Sequence, residues 1–219
     1  MREFNLLGEY PQPDRPRVVS RNLRTIHHRL VAFRRDREFF DGDRNFGYGG
    51  FNYDGRWQAV ARGICENYVI KEGHRVLQIN SEKGFLLHDL QAFCAGLEVF
   101  GTETSEYAIE KSMYDVKDCI HRACPVSLPF PDGHFDFIVG LGVVYIQTLE
   151  DAVRVLKEIQ RVGKGASFVT LASYETEEDY FLFRDWTLLG ALILKKEEWR
   201  EVLEHAGYTG DYWFSGAQS

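Results

Sequence analysis

The residues with the clearest chemical potential lie in two short polar turns, each of which follows an apolar run. The first turn, Asn80-Ser81-Glu82-Lys83-Gly84, separates the apolar side chains of RVLQI from those of FLLHDL. The second turn carries Glu103, about twenty positions further along the chain. A strand-to-helix turn offers the free N–H groups of a helix N-terminus to a ligand, and an acid at this distance binds ribose hydroxyls in dinucleotide-binding folds. The spacing therefore predicts a site for a nucleotide-like ligand.

Hydrophobic periodicity predicts the elements that position these turns. Buried strands are indicated at 76–79, 97–103, 137–141, 167–172 and 212–214, and helices at 57–69, 85–90, 106–120, 148–161 and 197–206. Strands that alternate with helices at this spacing predict a doubly wound α/β fold, with a central, mostly parallel sheet flanked by helices. We expect this domain to span residues 57–219, after an N-terminal extension of residues 1–56.

The N-terminal extension has three parts. Residues 1–16 hold three of the six prolines and predict a tail or a strap over the surface. The periodicity from Val18 to about Phe40 predicts one helix, which is rich in arginine. Its arginines, Arg35 among them, form either a solvated face that pairs with acids elsewhere on the protein, or a surface that binds phosphates, acids or another subunit. The glycine–aromatic loop at 41–57 is either a packed surface loop or a lid.

Composition excludes several function classes. The 219 residues carry a net charge of −7 with a pI near 5.5, which argues against nucleic-acid binding. No apolar run approaches the ~20 residues of a membrane span, and the N-terminus lacks the apolar core of a secretion signal. The four scattered cysteines predict reduced thiols and a cytoplasmic location. His27-His28 has no third ligand near it in sequence, so no metal site is predicted.

Four blocks carry a family resemblance: VLQINSEKGFLL, GTETSEYAIE, LPFPDGHFDFIVG and LKEIQRVGKGASFV. In order and spacing they resemble the class I S-adenosylmethionine-dependent methyltransferases, in particular the small-molecule "type 11" branch, over roughly residues 55–214. The resemblance implies a Rossmann-like methyltransferase fold with S-adenosylmethionine as its cofactor. It assigns the cofactor-binding positions to Gln78, Asn80, Ser81, Gly84, Glu103, Thr104, Cys124 and Leu141.

The cofactor motif departs from the family pattern at several positions. Gln78 stands where the family has an acid, and Asn80 and Glu82 replace the first two glycines of the turn, so that only Gly84 remains. Related turns tolerate an outward-pointing side chain at the position of Glu82, whereas loss of cofactor binding would imply that Gln78, Asn80 or Glu82 fills the pocket. Cys124 replaces a polar residue that contacts the adenine in the family, whereas Glu103 preserves the acid that binds the ribose.

These departures leave more than one function open. The first hypothesis is methyl transfer to a small-molecule acceptor, such as a sugar or a biosynthetic intermediate. The alternative is a methyltransferase-fold protein that has lost S-adenosylmethionine binding and acts as a non-catalytic binding or partner subunit. A third is reuse of the fold for another nucleotide-like ligand.

If the chain is an enzyme, the predicted catalytic residues are Tyr145 and Glu175, which would orient or deprotonate an acceptor hydroxyl. The alternative is that Tyr145 packs on a neighbouring helix and Glu175 is an exposed loop charge. The apolar segment 181–194 either covers an acceptor or, like the N-terminal helix, forms a contact in a homo- or hetero-oligomer. The sequence does not identify the acceptor.

Overall fold

The fold is a parallel sheet flanked by helices, seen in a computed structural model that describes residues 1–11, 20 and 22–216. In these ranges the sheet has six strands in the order β3-β2-β1-β4-β5-β6, and all neighbouring strands are parallel. The strands are β1 (Arg75–Ile79), β2 (Glu98–Glu103), β3 (Ile120–Arg122), β4 (Phe137–Gly140), β5 (Ser167–Ala172) and β6 (Asp211–Ser215). The strand order reverses between β1 and β4, and such a switch point opens a crevice at the carboxyl ends of the two strands. The predicted doubly wound α/β fold is confirmed.

Helices cover both faces of this sheet. The described residues contain α1 (Ile26–Phe33), α2 (Arg37–Asp41), α3 (Gln58–Asn67), α4 (Phe85–Phe93), α5 (Glu106–Glu110), α6 (Leu149–Val162), α7 (Glu177–Trp186) and α8 (Lys196–Ala206). One apolar cluster joins α6 and α8 to the sheet, and a second joins α3 and α4 to it. Burial of these clusters holds the carboxyl edge of the sheet in place.

Local signals account for several element boundaries. Thr148 caps α6 by accepting a hydrogen bond from the Asp151 amide, and Gly163 ends the helix, as predicted. Gly207 ends α8 in the left-handed conformation at φ 68°. Strand β5 has the predicted bounds, and all six of its residues are buried. A continuous apolar strand of this kind is typical of a parallel sheet covered on both faces.

Two predicted helices are wrong in extent. The single helix predicted from Val18 to Phe40 is replaced by two helices, α1 and α2. The helix is interrupted because Arg35 takes a left-handed φ of 48° and Asp36 caps the start of α2. Val18 lies outside the described residues. The helix predicted to reach Ile120 ends at Glu110, and the chain then turns back to form β3. The reason is tertiary: the Met113 amide donates to the Lys83 carbonyl at 2.9 Å.

Residues 2–6 lie beside strand β6 at the edge of the sheet. The Phe4 amide donates to the Tyr212 carbonyl at 2.9 Å, and the Tyr212 amide donates to the Arg2 carbonyl at 3.1 Å. Leu6 is buried in the cluster under α3. Residues 12–19 and 21 of the predicted extension lie outside the described ranges, and the domain boundary at residue 57 stays a prediction. Among the described residues, none of the helices has the length and apolar character needed to cross a bilayer.

Candidate cofactor site

The turn after β1 has the backbone of a glycine-rich turn, although it holds one glycine. Asn80, Glu82 and Gly84 all lie in the left-handed region, at φ 55°, 54° and 75°. For a residue with a side chain this conformation costs roughly 1–2 kcal/mol. At Gly84 a Cβ atom would also lie only 2.8 Å from a methyl carbon of Val116. The fold therefore retains the backbone of a glycine-rich turn at the switch point and tolerates backbone strain at Asn80 and Glu82.

The carboxylate of Glu103, at the end of β2, is fully buried and heavily hydrogen-bonded. It accepts hydrogen bonds from the backbone amides of Glu82 at 2.9 Å, Thr104 at 2.7 Å and Ser105 at 2.9 Å. The Thr104 hydroxyl donates to it at 3.2 Å. A carboxylate offers about four lone-pair sites, so these donors nearly satisfy it.

The remaining capacity of Glu103 is taken by Arg35, from the segment between α1 and α2. One guanidinium nitrogen lies 3.0 Å and 3.2 Å from the two carboxylate oxygens, and both side chains are shielded from solvent. Burial alone would lower the pKa of Arg35, but the charges of Glu103 and Glu82 outweigh it and raise the pKa. The guanidinium of Arg35 therefore stays charged beside Glu103. The acid that was expected to bind a ribose instead binds an arginine of the same chain.

Glu82 lines a cavity at the carboxyl edge of the sheet, which is the arrangement expected if the chain has lost cofactor binding and differs from the outward orientation that related turns tolerate. The Tyr48 hydroxyl donates a hydrogen bond to its carboxylate. Burial raises the pKa of Glu82 to about 7, against the opposing effects of Arg35 and the Tyr48 hydrogen bond. This carboxyl group therefore keeps its proton to a higher pH than an exposed glutamate does.

Further contacts bind residues 35–53, here called the strap, to the turn and to α4. The buried ammonium of Lys83 donates to both carboxylate oxygens of Asp41, at 2.7 Å and 2.8 Å, and to the Phe51 carbonyl at 2.8 Å. The Tyr53 hydroxyl donates to Asp89 at 2.6 Å. The strap is therefore fixed over the carboxyl edge of the sheet by two ion pairs and two tyrosines.

Sequence comparison supplies the family of the central part of the chain. Residues 77–170 match the family described as a methyltransferase domain. This segment resembles a methyltransferase domain. The match includes the turn after β1, Glu103, strand β4 and the first four residues of β5, and it confirms the resemblance to the class I S-adenosylmethionine-dependent enzymes. No curated protein matches the chain.

Solved structures agree with the fold of this methyltransferase domain. The YcgJ protein from Bacillus subtilis has a TM-score of 0.55 and 20% identity, over 67% of this chain and 66% of its own. A proposed S-adenosyl-L-methionine-dependent methyltransferase from Methanococcus maripaludis has a TM-score of 0.53 and 18% identity, over 69% and 76%. The [4+2]-cyclase SpnF has a TM-score of 0.55 and 20% identity, over 68% of this chain but 58% of its own. The chain thus spans slightly less than two thirds of two of these proteins, and the likeness shows the fold alone.

The space left in the methyltransferase site does not fit S-adenosylmethionine. A cavity of about 110 Å³ remains between the strap and the carboxyl edge, lined among others by Arg35, Tyr48, Asn80 and Glu82. Ligands of drug or cofactor size occupy sites of roughly 300–1,000 Å³. With Glu103 satisfied by protein donors and Glu82 in the cavity, neither the volume nor the ribose acceptor that the cofactor requires is present.

One feature of the site does suit a polar ligand. The side-chain oxygen of Gln78 is buried and has no hydrogen-bond partner among the described residues. The hydroxyls of Ser81 and Thr102 are also buried and have no hydrogen-bond partner among the described residues. Buried polar atoms without partners are costly and rare in native proteins. Three such atoms lie near this edge of the sheet, although none of the three residues lines the cavity.

The structure separates the two residues predicted to be catalytic. Tyr145 lines the cavity and its ring packs edge-on against Phe183, with 6.1 Å between ring centroids. Glu175 does not line the cavity; it pairs with Lys196 at 2.8 Å, with most of its side chain exposed. Both roles stay predictions, although only Tyr145 lies at the site.

The other predicted cofactor positions are also spread out. Leu141 lines the cavity, whereas Cys124 is exposed and does not line it. Thr104 contributes its amide and hydroxyl to Glu103. In the described ranges no group of His, Cys, Asp or Glu has the arrangement of a metal site. The sequence pattern assigns no site role to Arg35, Asp41, Tyr48, Tyr53 or Lys83.

Proposed function

We propose that the chain is a methyltransferase-fold protein that has lost S-adenosylmethionine binding and acts as a non-catalytic binding or partner subunit. The observation that carries this proposal is the ion pair between Arg35 and Glu103. The carboxylate that would accept the ribose hydroxyls is buried against an arginine of the strap. A cofactor would have to remove Arg35 before it could bind in the manner of the family.

The energetic barrier to such binding is large. Breaking a buried ion pair by removing one partner costs about 3–5 kcal/mol. That loss lowers affinity by about two to nearly four decades, because each 1.4 kcal/mol is a factor of ten. A site of micromolar intrinsic affinity would then bind in the millimolar range, before the displacement of Glu82 is counted.

Isothermal titration calorimetry with S-adenosylmethionine and S-adenosylhomocysteine tests the proposal. We expect no binding to the unaltered protein at millimolar ligand. The quadruple variant Arg35→Met, Gln78→Asp, Asn80→Gly, Glu82→Gly frees Glu103 and restores the acid and the glycines of the family motif, and we expect it to gain measurable affinity. Micromolar binding to the unaltered protein would contradict the proposal.

A second candidate is methyl transfer to a small-molecule acceptor after the strap has moved away. The unpartnered oxygen of Gln78 and the retained left-handed turn favour it. In this case Arg35→Met should strengthen cofactor binding at least hundredfold, and Tyr145→Phe should lower turnover without changing that affinity. Because the same fold carries a protein named as a cyclase, the fold does not fix the reaction.

Cysteine chemistry supports a cytoplasmic location as part of this proposal. Cys65, Cys94, Cys119 and Cys124 are all unpaired thiols. Reduced, scattered cysteines are the rule in the cytosol. Cell fractionation tests the location, and recovery of the protein with disulfide bonds would contradict it.

A further inference from the structure

A small cavity remains under the strap at the carboxyl edge of the sheet. It measures about 110 Å³, which is room for about four water molecules at ~30 Å³ each. The strand order reverses at this edge between β1 and β4, and ligands of parallel sheets bind at such a switch point. The cavity is too small for a nucleoside but admits an organic molecule of about four to six non-hydrogen atoms.

The wall of this cavity contains a buried amide without a hydrogen-bond partner. Asn80 lines the cavity and is only 9% exposed. Its side chain makes no hydrogen bond within the described ranges, although an amide offers two donor hydrogens and an acceptor oxygen. The residue holds this place at a left-handed φ of 55°, and strained backbone of this kind is concentrated at ligand sites. Because buried polar groups in native proteins have partners, a ligand or water must face Asn80.

Two further side chains offer hydrogen bonds to an occupant. Glu82 accepts from the Tyr48 hydroxyl through Oε1, and its Oε2 has no hydrogen-bond partner among the residues that the structure describes. Burial raises the pKa of Glu82 to about 7, so below that pH its carboxyl is an uncharged donor and acceptor. The Thr187 hydroxyl accepts from the Gly190 amide at 2.8 Å and keeps its own proton to donate. The wall therefore offers both donors and acceptors.

The charges around the cavity disfavour an ionic occupant. The guanidinium of Arg35 belongs to the wall and would repel a cation. Its charge is balanced by Glu103 at 3.0 Å, so an anion finds no free counter-ion there. The nearby ammonium of Lys83 is likewise paired with Asp41. An uncharged molecule avoids both the repulsion and the cost of burying an unpaired charge.

We propose that the cavity binds a small uncharged primary amide. The amide of Asn80 and the carboxyl of Glu82 are planar groups that each carry a donor beside an acceptor, and a primary amide is the complementary planar group. The short apolar end of the ligand would lie against Phe39, Leu141 and Leu189, which also line the cavity. This inference rests on the proposed function, because it names the ligand of a site that no longer admits the cofactor.

Titration of the isotope-labelled protein by NMR tests this assignment. Acetamide, acetate and acetamidinium have nearly the same shape but differ in charge. Below pH 7 we expect acetamide to give saturating shifts of the Asn80 amide signals, with a dissociation constant in the millimolar range because so small a ligand makes few contacts. Acetate, acetamidinium and glycerol should bind more weakly. Absence of saturating shifts, or binding of any of these three at least as tight as that of acetamide, would overturn the proposal.

Two variants locate the ligand in the cavity. Asn80→Gly removes the amide and relaxes its left-handed backbone, so the protein should fold while its affinity for acetamide falls about tenfold. Thr187→Val removes the hydroxyl donor and should also weaken binding. Asn22→Gly is the matched control, because Asn22 has a left-handed φ of 60° but is exposed and does not line the cavity. An affinity unchanged by Asn80→Gly, or lowered equally by Asn22→Gly, would overturn the proposal.

The outcomes separate this inference from the proposed function. Micromolar binding of S-adenosylmethionine contradicts the proposed function whether or not acetamide binds. Where the cofactor does not bind, failure of acetamide to shift the Asn80 signals overturns the amide site and leaves the proposed function standing.

Discussion

Removal of the Arg35 guanidinium is the most informative single change in this protein. In Arg35→Met the carboxylate of Glu103 loses its buried counter-ion but keeps three backbone amides. Breaking a buried pair costs about 3–5 kcal/mol, and the retained amides place the expected loss near the lower end, about 3 kcal/mol. For a chain of this size, that loss lowers the midpoint of thermal unfolding by about 6–12 °C.

Urea denaturation and thermal unfolding measure this loss. Arg62→Met is the matched control, because Arg62 pairs with Glu9 at 3.2 Å and both side chains are exposed. Such a surface pair contributes at most about 1 kcal/mol. If Arg35→Met costs no more than Arg62→Met, the strap does not bind Glu103 in solution and the reasoning fails.

A double-mutant cycle separates the pair from its surroundings. In Arg35→Met with Glu103→Gln, the buried charge is absent, so the double variant should lose less free energy than the sum of the two single variants. We expect an interaction energy of about 1–3 kcal/mol, the range for residues in direct contact. Strict additivity would show that the two side chains act independently.

Three other changes test the site. Glu82 binds its proton more tightly in the folded state, with a pKa of about 7 against an ordinary 4.5. Its contribution to stability is therefore complete below about pH 4.5 and is lost as the pH rises through 7. Glu82→Gln should remove this fall in the free energy of unfolding measured with urea, and an unchanged pH profile would contradict the assignment. Lys83→Met leaves Asp41 without its cation and should lower the free energy of unfolding by about 3 kcal/mol. It should also speed hydrogen exchange of the backbone amides in the strap. Unchanged exchange would show that the pair does not hold the strap. Gly84→Ala combines a left-handed backbone with a 2.8 Å contact to Val116, and should lower the free energy of unfolding in denaturant by about 2–5 kcal/mol. The control Gly73→Ala has a φ of 77° but open space around it, and should cost about 1 kcal/mol. Equal losses would refute the close packing at Gly84.

The fold was predictable because its elements carry local signals. Strand β5 is a continuous apolar run, and α6 has both its cap at Thr148 and its terminator at Gly163. Strand β3 was missed because it has three residues, two of them exposed, and so lacks a pattern of its own. Its position is set by pairing with β2, which no local sequence reports.

The role of Arg35 could not be read from its neighbours in sequence. Glu103 is 68 residues away, and no periodicity links the two. The interruption between α1 and α2, where Arg35 lies, does have a local signal, because Asp36 before Arg37-Glu38-Phe39 is a helix N-cap pattern. The orientation of Glu82 could not be predicted for a related reason. The sequence of the turn shows which side chain stands there, but its contacts are set by the strap, whose Tyr48 donates a hydrogen bond to Glu82.

A crystal structure of the protein grown with saturating S-adenosylhomocysteine tests the central claim most directly. The account predicts that Arg35 remains on Glu103, that Glu82 remains hydrogen-bonded to Tyr48, and that the cavity holds no nucleoside. A bound nucleoside with its ribose on Glu103 and Arg35 displaced would contradict it, and would return the chain to the methyltransferases that bind their cofactor.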